Sequence, residues 1–267
     1  MFALAGTSWG NTSSGALAPT DPAGNPYPNL LLAMNQAKIS WKVYHESGGA
    51  PPDEALFVQT WLQNTANFVS FTDFLNDAAA GNLPSVSIVD PYTEDGTGDS
   101  QDEHPPSDPQ LGQAWVSSVV SALMKSPNWG STALFFSYDE NGGFYDSVPP
   151  PPACPPDSFA PILGPGDPDA GFDRLGFRVP LIVVSPYAKR GYVSHTLSDH
   201  TSLMRFIEAR FNLPALTARD ANADPLFDMF DFSKQDLTVP SLPEAVVDPT
   251  ELALCKQQYP DDGGTGL

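Results

Sequence analysis

The succession of apolar segments predicts an α/β fold: a mostly parallel sheet flanked by helices. Helical patterns alternate with strand-length apolar runs between residues 28 and 211. The two strongest runs, residues 133–136 and 179–184, are continuously apolar, as strands covered on both faces are. The length, 267 residues, suits one α/β domain with a single sizeable core.

Residues 1–26 are rich in Gly, Ser, Thr and Asn and read as a loop carrying many hydroxyls. From residue 28 to 37 a helical pattern places Leu30, Leu31 and Met34 together, and residues 39–44 then alternate like a half-buried strand. Residues 53–80 read as two short helices around Phe57, Trp61, Leu62, Phe74 and Leu75. Residues 83–89, with Val86 and Ile88, form the next strand and stop at Asp90-Pro91. An acidic, Gly-containing loop over 92–108 leads to Asp108-Pro109, an N-cap followed by proline in the first turn. The helix beyond it aligns Leu111, Trp115, Val119, Val120, Leu123 and Met124 on one stripe. The strand at 133–136 follows. Residues 147–173 make a long Pro/Gly/Asp loop, a type that is functional or disordered in compact domains. After the strand at 179–184, Ser198-Asp199-His200 opens a helix with Leu203, Phe206, Ile207 and Phe211. Residues 214–267 hold little periodicity and read as a partly ordered acidic wrap and tail.

A formal net charge of −20 argues against nonspecific nucleic-acid binding and against adsorption to anionic lipid. The basic residues are uneven, however: Arg174, Arg178, Lys189, Arg190, Arg205 and Arg210 are half of the 12 Lys plus Arg. They would either attract an anionic group or form ordinary salt bridges in an acid-rich protein. No run of about 18 apolar residues occurs, so no transmembrane helix is expected. Residues 1–6 are too short and lack the charged flank of a signal peptide. The two cysteines, Cys154 and Cys255, would form one disulfide or remain two free thiols.

The chemistry centres on residues 131–146, where an apolar strand runs into Asp139-Glu140 and then Asn141-Gly142-Gly143. Adjacent carboxylates repel unless a cation or another partner relieves them. Open α/β sheets bind ligands beyond the carboxyl ends of their strands. Solvated acids before a turn would leave the same residues, so this stretch alone does not decide. Asp90, Asp139-Glu140 and Ser185 all follow strands, with His104 and His200 in loops or at a helix start. In a parallel sheet these groups converge. Hard oxygen donors suit Ca²⁺, Mg²⁺ or Mn²⁺, and imidazole can ligate softer metals such as Zn²⁺ or donate to phosphate oxygens.

The segment Asp139-Glu140-Asn141-Gly142-Gly143-Phe144-Tyr145-Asp146-Ser147-Val148-Pro149-Pro150 resembles a landmark of the phosphoesterase family, the bacterial phospholipase C and acid-phosphatase-type enzymes. The flanking Asp102-Glu103-His104-Pro105-Pro106, Gly176-Phe177-Arg178-Val179-Pro180, Ser185-Pro186 and Asp199-His200-Thr201-Ser202 are similar to the family's other landmarks, so the resemblance covers residues 1–232. It implies an alkaline-phosphatase-like core over residues 1–245, an acidic, Gly-rich tail over 246–267, and metal-assisted hydrolysis of phosphate esters, phospholipids among them. It implies Asp139 and Glu140 as metal ligands and His104 as a phosphoryl contact. Gly6-Thr7-Ser8-Trp9-Gly10-Asn11 would be the nucleophile segment, with Ser8 the nucleophile and Thr7 the fallback. Asn11, His200 and Thr7 would contact substrate. The resemblance also implies export, with which a Cys154–Cys255 disulfide would agree.

Two departures accompany the resemblance. The family's amino-terminal Glu-Asn-x-Ser-Phe-Asp segment, which supplies the first strand and further metal ligands, is not found in this sequence, and Ser147 stands where a His is usual. A fragment is therefore expected, needing an upstream segment or a partner chain. The remaining alternatives are a phosphomonoesterase and a non-catalytic relative that binds a cation or a phosphorylated ligand. An acidic Ca²⁺-binding protein using the 92–108 loop is a further alternative, though that loop lacks the Asp-x-Asp-x-Asp-Gly spacing of a helix-loop-helix site.

Overall fold

The computed structural model describes residues 1–13, 16–46, 53–93, 100–165 and 171–258. Its central ladder is parallel and three-stranded, in the order β2–β1–β3, with β1 Trp41–His45, β2 Phe68–Ser70 and β3 Val86–Asp90. Val43 sits opposite Phe68 on one side and Ile88 on the other, so β1 is hydrogen-bonded along both edges. A second ladder pairs β4 Leu134–Ser137 with β5 Leu181–Val184, antiparallel, Leu134 opposite Val184.

The two-residue period of the strands sorts their side chains onto two faces. On one face, Trp41, Val43, Val86 and Ile88 pack with α1 (Phe2–Ala5), α2 (Leu30–Gln36) and α6 (His200–Phe211) through Leu4, Leu30, Leu31, Met34 and Met204. On the other, Tyr44, Val69 and Val89 meet α4 (Phe71–Ala80) and α5 (Pro109–Lys125) through Phe71, Phe74, Trp115, Val119 and Leu123. The short α3 (Val58–Gln63) precedes β2, and α7 (Ala218–Ala221) and α8 (Pro249–Gln258) follow α6. Helices thus cover both faces of the sheet, an α/β architecture.

The helix boundaries follow local chemistry. Ser70 caps α4 in a reciprocal box with Asp73, and Gly81 closes the helix at φ 72°. Asp108 accepts the Gln110 N–H at 3.0 Å and Pro109 occupies the first turn of α5. Asp199 caps α6 by accepting from Thr201 N at 2.7 Å.

Several expectations change in detail. Residues 1–26 are not all loop, because Phe2–Ala5 is helical. The 53–80 segment contains β2 between its helices: Phe68, Val69 and Ser70 are too few to register as an alternating pattern. The strand at 179–184 is not covered on both faces, since Ile182 is 52% exposed. Cys154 and Cys255 are unbonded; their thiols face the Ala218 and Pro106 carbonyls at 3.3 and 3.5 Å. The basic residues mostly form ordinary pairs: Arg178 with Asp146, Arg190 with Asp236, Arg174 with Asp173 and Arg205 with Glu208. No helix among the described residues is long and apolar enough to cross a membrane.

Two predictions test the core. Phe74 is 1% exposed and stacks against Phe71, so Phe74→Ala should cost about 3–5 kcal/mol in urea unfolding. A loss of only a few tenths would contradict its packing. Glu208, also 1% exposed, has its Oε1 without a partner, and its Oε2 accepts from Arg205 at 3.4 Å. Burial, then the Asp220 carboxylate, pushes Glu208 up to about 8. The native state therefore holds a proton that the unfolded chain has released by neutral pH. Stability from this group is full below the ordinary glutamate range and is lost as pH rises through about 8. Urea midpoints should fall from pH 5 to pH 8.5 in the native sequence and fall less in Glu208→Gln.

Candidate active site

The carboxyl ends of β1, β3 and β4 open on one cleft, a cavity of about 3340 Å³. His45 ends β1 and lies in register with Asp90, the last residue of β3; both line the cleft, as do His104, Tyr138, Asp139, Glu140 and His200. Asp90, Asp139, Glu140, His104 and His200 thus line one cleft, but Ser185 does not join them at the carboxyl end of β4: β5 runs antiparallel to β4, so Ser185 lies at the amino end of β4 and donates to Thr132 O at 2.8 Å. His45 joins them, and the sequence reading passed over it although the strand pattern ends beside it.

Three contacts fix this group. The His104 Nε2 stands 3.5 Å from Glu140 Oε1, both side chains about half exposed. Tyr138 donates its hydroxyl proton to Glu103, and His200 Nε2 lies 2.8 Å from the Tyr138 carbonyl oxygen. Burial, then the Glu103 carboxylate, pushes the Tyr138 phenol up to about 12. The end of β4 is thereby held between the loop after β3 and the first turn of α6.

That loop lies tight against α5 at Gly112. A Cβ there would stand 2.7 Å from Gln101 O and would also strike the Glu103 side chain. Only glycine lets the helix approach so closely.

Beyond β4 the Gly-Gly turn places Gly142 at φ 61° and Gly143 at φ 74°. Asp146 then receives Arg178 in a two-pronged pair, Nε and NH2 both at 2.8 Å. The guanidinium holds the Asp146 carboxyl far below the usual carboxylate range.

The hydroxyl loop lies elsewhere. Thr7, Ser8 and Asn11 do not line the cleft. Ser8 is 7% exposed and donates to Asn11 O at 2.8 Å; Thr7, 4% exposed, donates to Asp157, while Trp9 N donates to Thr7 Oγ1 at 2.9 Å. Trp9 adopts φ 51° and Gly10 φ 86°, and Gly10 O accepts from Ile162 N at 2.7 Å. A side chain at Gly10 would strike Ala160 O. Asp157 and the 160–162 strap, inside the long loop, were not legible as partners because they lie about 150 residues away.

Among the described residues, no three His, Cys, Asp or Glu side chains are grouped to hold a metal ion. Asp139 and Glu140 alone are fewer donors than a Ca²⁺, Mg²⁺ or Zn²⁺ shell requires. The described residues do not by themselves fit a metal centre.

A family model for the phosphoesterase family matches residues 1–214, most of the chain. The chain belongs to the phosphoesterase family. This phosphoesterase chain is 33% identical to non-specific phospholipase C1 of Arabidopsis thaliana, over 80% of its own length and 42% of that protein. It is 40% identical to non-specific phospholipase C6 of the same plant, over 83% and 44%. With the non-hemolytic phospholipase C of Burkholderia pseudomallei the identity is 35%, over 86% and 39%. The chain therefore spans less than half the length of these relatives.

Gly112→Ala tests how the His104 end of the cleft is positioned. Helix content by circular dichroism should stay unchanged, while the displaced 101–104 loop should move the His104 ring resonances and leave those of His45 in place. Unaltered His104 resonances would contradict the close approach.

Proposed function

We propose that the protein hydrolyses phosphoric esters in the manner of a phospholipase C, with Asp139 and Glu140 facing a divalent cation, His104 on the phosphoryl group, and Ser8 as the nucleophile, whose loop lies outside the cleft in this structure and must move to reach it. His200 and Asn11 contact the substrate. The observation that carries the reading is the carboxylate pair at the end of β4 with His104 3.5 Å from one of its members. A phosphoryl group needs donors and cations around its equatorial oxygens, and this cleft end offers an exposed imidazole beside two carboxylates.

A bound divalent ion would supply charge neutralisation at the phosphoryl oxygens. The described residues do not complete a shell for it, so the remaining chemistry rests on this chain's own groups. His104, beside Glu140, donates a ring N–H to a phosphoryl oxygen, and its exposure leaves it reachable. Asp146 and Arg178 satisfy each other and brace the turn that carries Asp139 and Glu140. Serving as the nucleophile loop also suits residues 7–11, where the left-handed Trp9 is a backbone outlier of the kind that gathers at functional sites.

One observation favours a second assignment of the nucleophile. Thr7 already gives its hydroxyl proton to a carboxylate, whereas Ser8 gives its proton to a backbone carbonyl. Monoester and diester substrates, phospholipids included, both remain within the proposal, and export from the cell is the localisation that goes with it.

Hydrolysis of chromogenic phosphate monoesters and diesters, with EDTA and then with Ca²⁺, Mg²⁺, Mn²⁺ or Zn²⁺, tests the reading. Turnover should require a divalent ion and fall about 100-fold or more in Ser8→Ala and in Asp139→Asn. Thr7→Val should retain most of it. Retention of turnover in both of the first two variants would refute the assignment, and absence of turnover from a folded chain would favour a non-catalytic phosphate-binding relative.

A further inference from the structure

Four apolar side chains around the turn that follows Glu140 are open to solvent: Phe144 at 66%, Tyr145 at 89%, Val148 at 43% and Phe177 at 50%. One carboxylate gathers them. Asp146 Oδ1 accepts from Val148 N at 3.0 Å, and Oδ2 accepts from Arg178 N at 3.2 Å, in addition to the two-pronged Arg178 pair. Tyr145 and Val148 on one segment and Phe177 on the other are thus held at the same group. Asn141 closes the turn from the other side. Its Nδ2 donates to Phe144 O at 2.7 Å, and its O accepts from Phe144 N at 3.1 Å. Phe144 therefore stands directly beyond the Asp139–Glu140 pair, and Phe144 and Phe177 both line the cleft.

The turn is braced yet stands clear of the body. A Cβ at Gly143 or at Gly176 would meet no described atom within 4 Å. Contiguous exposed apolar groups of this kind mark the place where a protein meets a partner or a membrane. The charges select the surface. Arg178 is neutralised by Asp146, and Asp139 and Glu140 precede the turn in the chain. An anionic surface would be repelled by these acids and by the net charge of −20. Zwitterionic headgroups offer the turn what it lacks. The rings gain the apolar carbon at the headgroup boundary, and quaternary ammonium groups can approach the carboxylates and the ring faces. The phosphoryl groups of the same lipids then lie at the cleft mouth, on the side of His104 and Glu140, which a soluble protein partner would not provide.

We infer that Phe144, Tyr145, Val148 and Phe177 form a docking surface for a zwitterionic phospholipid bilayer, which seats the mouth of the cleft on the headgroups. The inference deepens the phospholipase C reading and rests on it. Because the Asp146–Arg178 pair fixes the turn before contact, little conformational freedom is lost on docking.

Binding of the 267-residue chain to vesicles, measured by flotation in EDTA, tests this without turnover, so a failure of docking and a failure of catalysis are separate results. The chain should float with phosphatidylcholine vesicles and bind phosphatidylglycerol vesicles more weakly. Tyr145→Ser combined with Val148→Ser should weaken binding to phosphatidylcholine about tenfold or more, while hydrolysis of a soluble chromogenic diester stays at the parent level. Tyr145→Trp should bind at least as well as the parent, and its added emission should be quenched by bromine-labelled phosphatidylcholine. A folded chain that stays off phosphatidylcholine vesicles would overturn the inference. So would undiminished binding of the double variant, a preference for phosphatidylglycerol, no quenching of the added tryptophan, or a dimer in solution that the double variant dissociates.

Discussion

Strand pairing at β1 is the constraint on which the other features depend. Backbone amides and carbonyls buried between two helical layers must find partners, and β1 satisfies this on both edges, against β2 and β3. Its side chains then divide between the faces, Trp41 and Val43 to one and Tyr44 to the other, which fixes where α2 and α4 can pack. The Tyr44 hydroxyl reaches Asp77 of α4 at 2.7 Å and so ties the strand to the helix through a polar bond inside an apolar layer. The ends of β1 and β3 are set by this register, and His45 and Asp90 stand side by side because of it.

The candidate site obeys the same logic one ladder away. Asp139 and Glu140 occupy their positions because β4 ends at Ser137 and its Tyr138 is held from two sides, by Glu103 and by His200. Neither partner is adjacent in sequence. Glu103 reaches Tyr138 only because Gly112 lets α5 lie against the 101–103 backbone, and His200 reaches it because Asp199 starts α6 at that point. Packing of helices against the strand therefore sets the distance between His104 and Glu140, and with it the charge pattern that a phosphoryl group would meet.

Much of this was legible in the sequence where local chemistry decides the outcome. The Asp108-Pro109 start of α5, the Asp199 cap of α6 and the apolar run of β4 each carry a signal within a few residues, and the family landmarks pointed to Asp139, Glu140, His104 and His200 together. What escaped was non-local or too short. β2 has three residues, the Thr7–Asp157 bond joins groups 150 positions apart, and the antiparallel direction of β5 depends on where the long 147–173 loop returns the chain. The basic residues could be read as an anion site or as ion pairs from sequence alone, and only the bidentate Asp146–Arg178 geometry shows one of them bracing a turn.

Locating the covalent intermediate tests the central functional claim most directly. Acid-quenched protein taken during turnover of a chromogenic phosphodiester, digested and analysed by mass spectrometry, would reveal which hydroxyl carries the phosphoryl group. The expected result is Ser8 joined to the phosphoryl group with its second, non-chromogenic alcohol still attached, an adduct absent without divalent metal and absent in Asp139→Asn. Phosphorylation of Thr7, or turnover with no covalent adduct in the 7–11 loop, would contradict it.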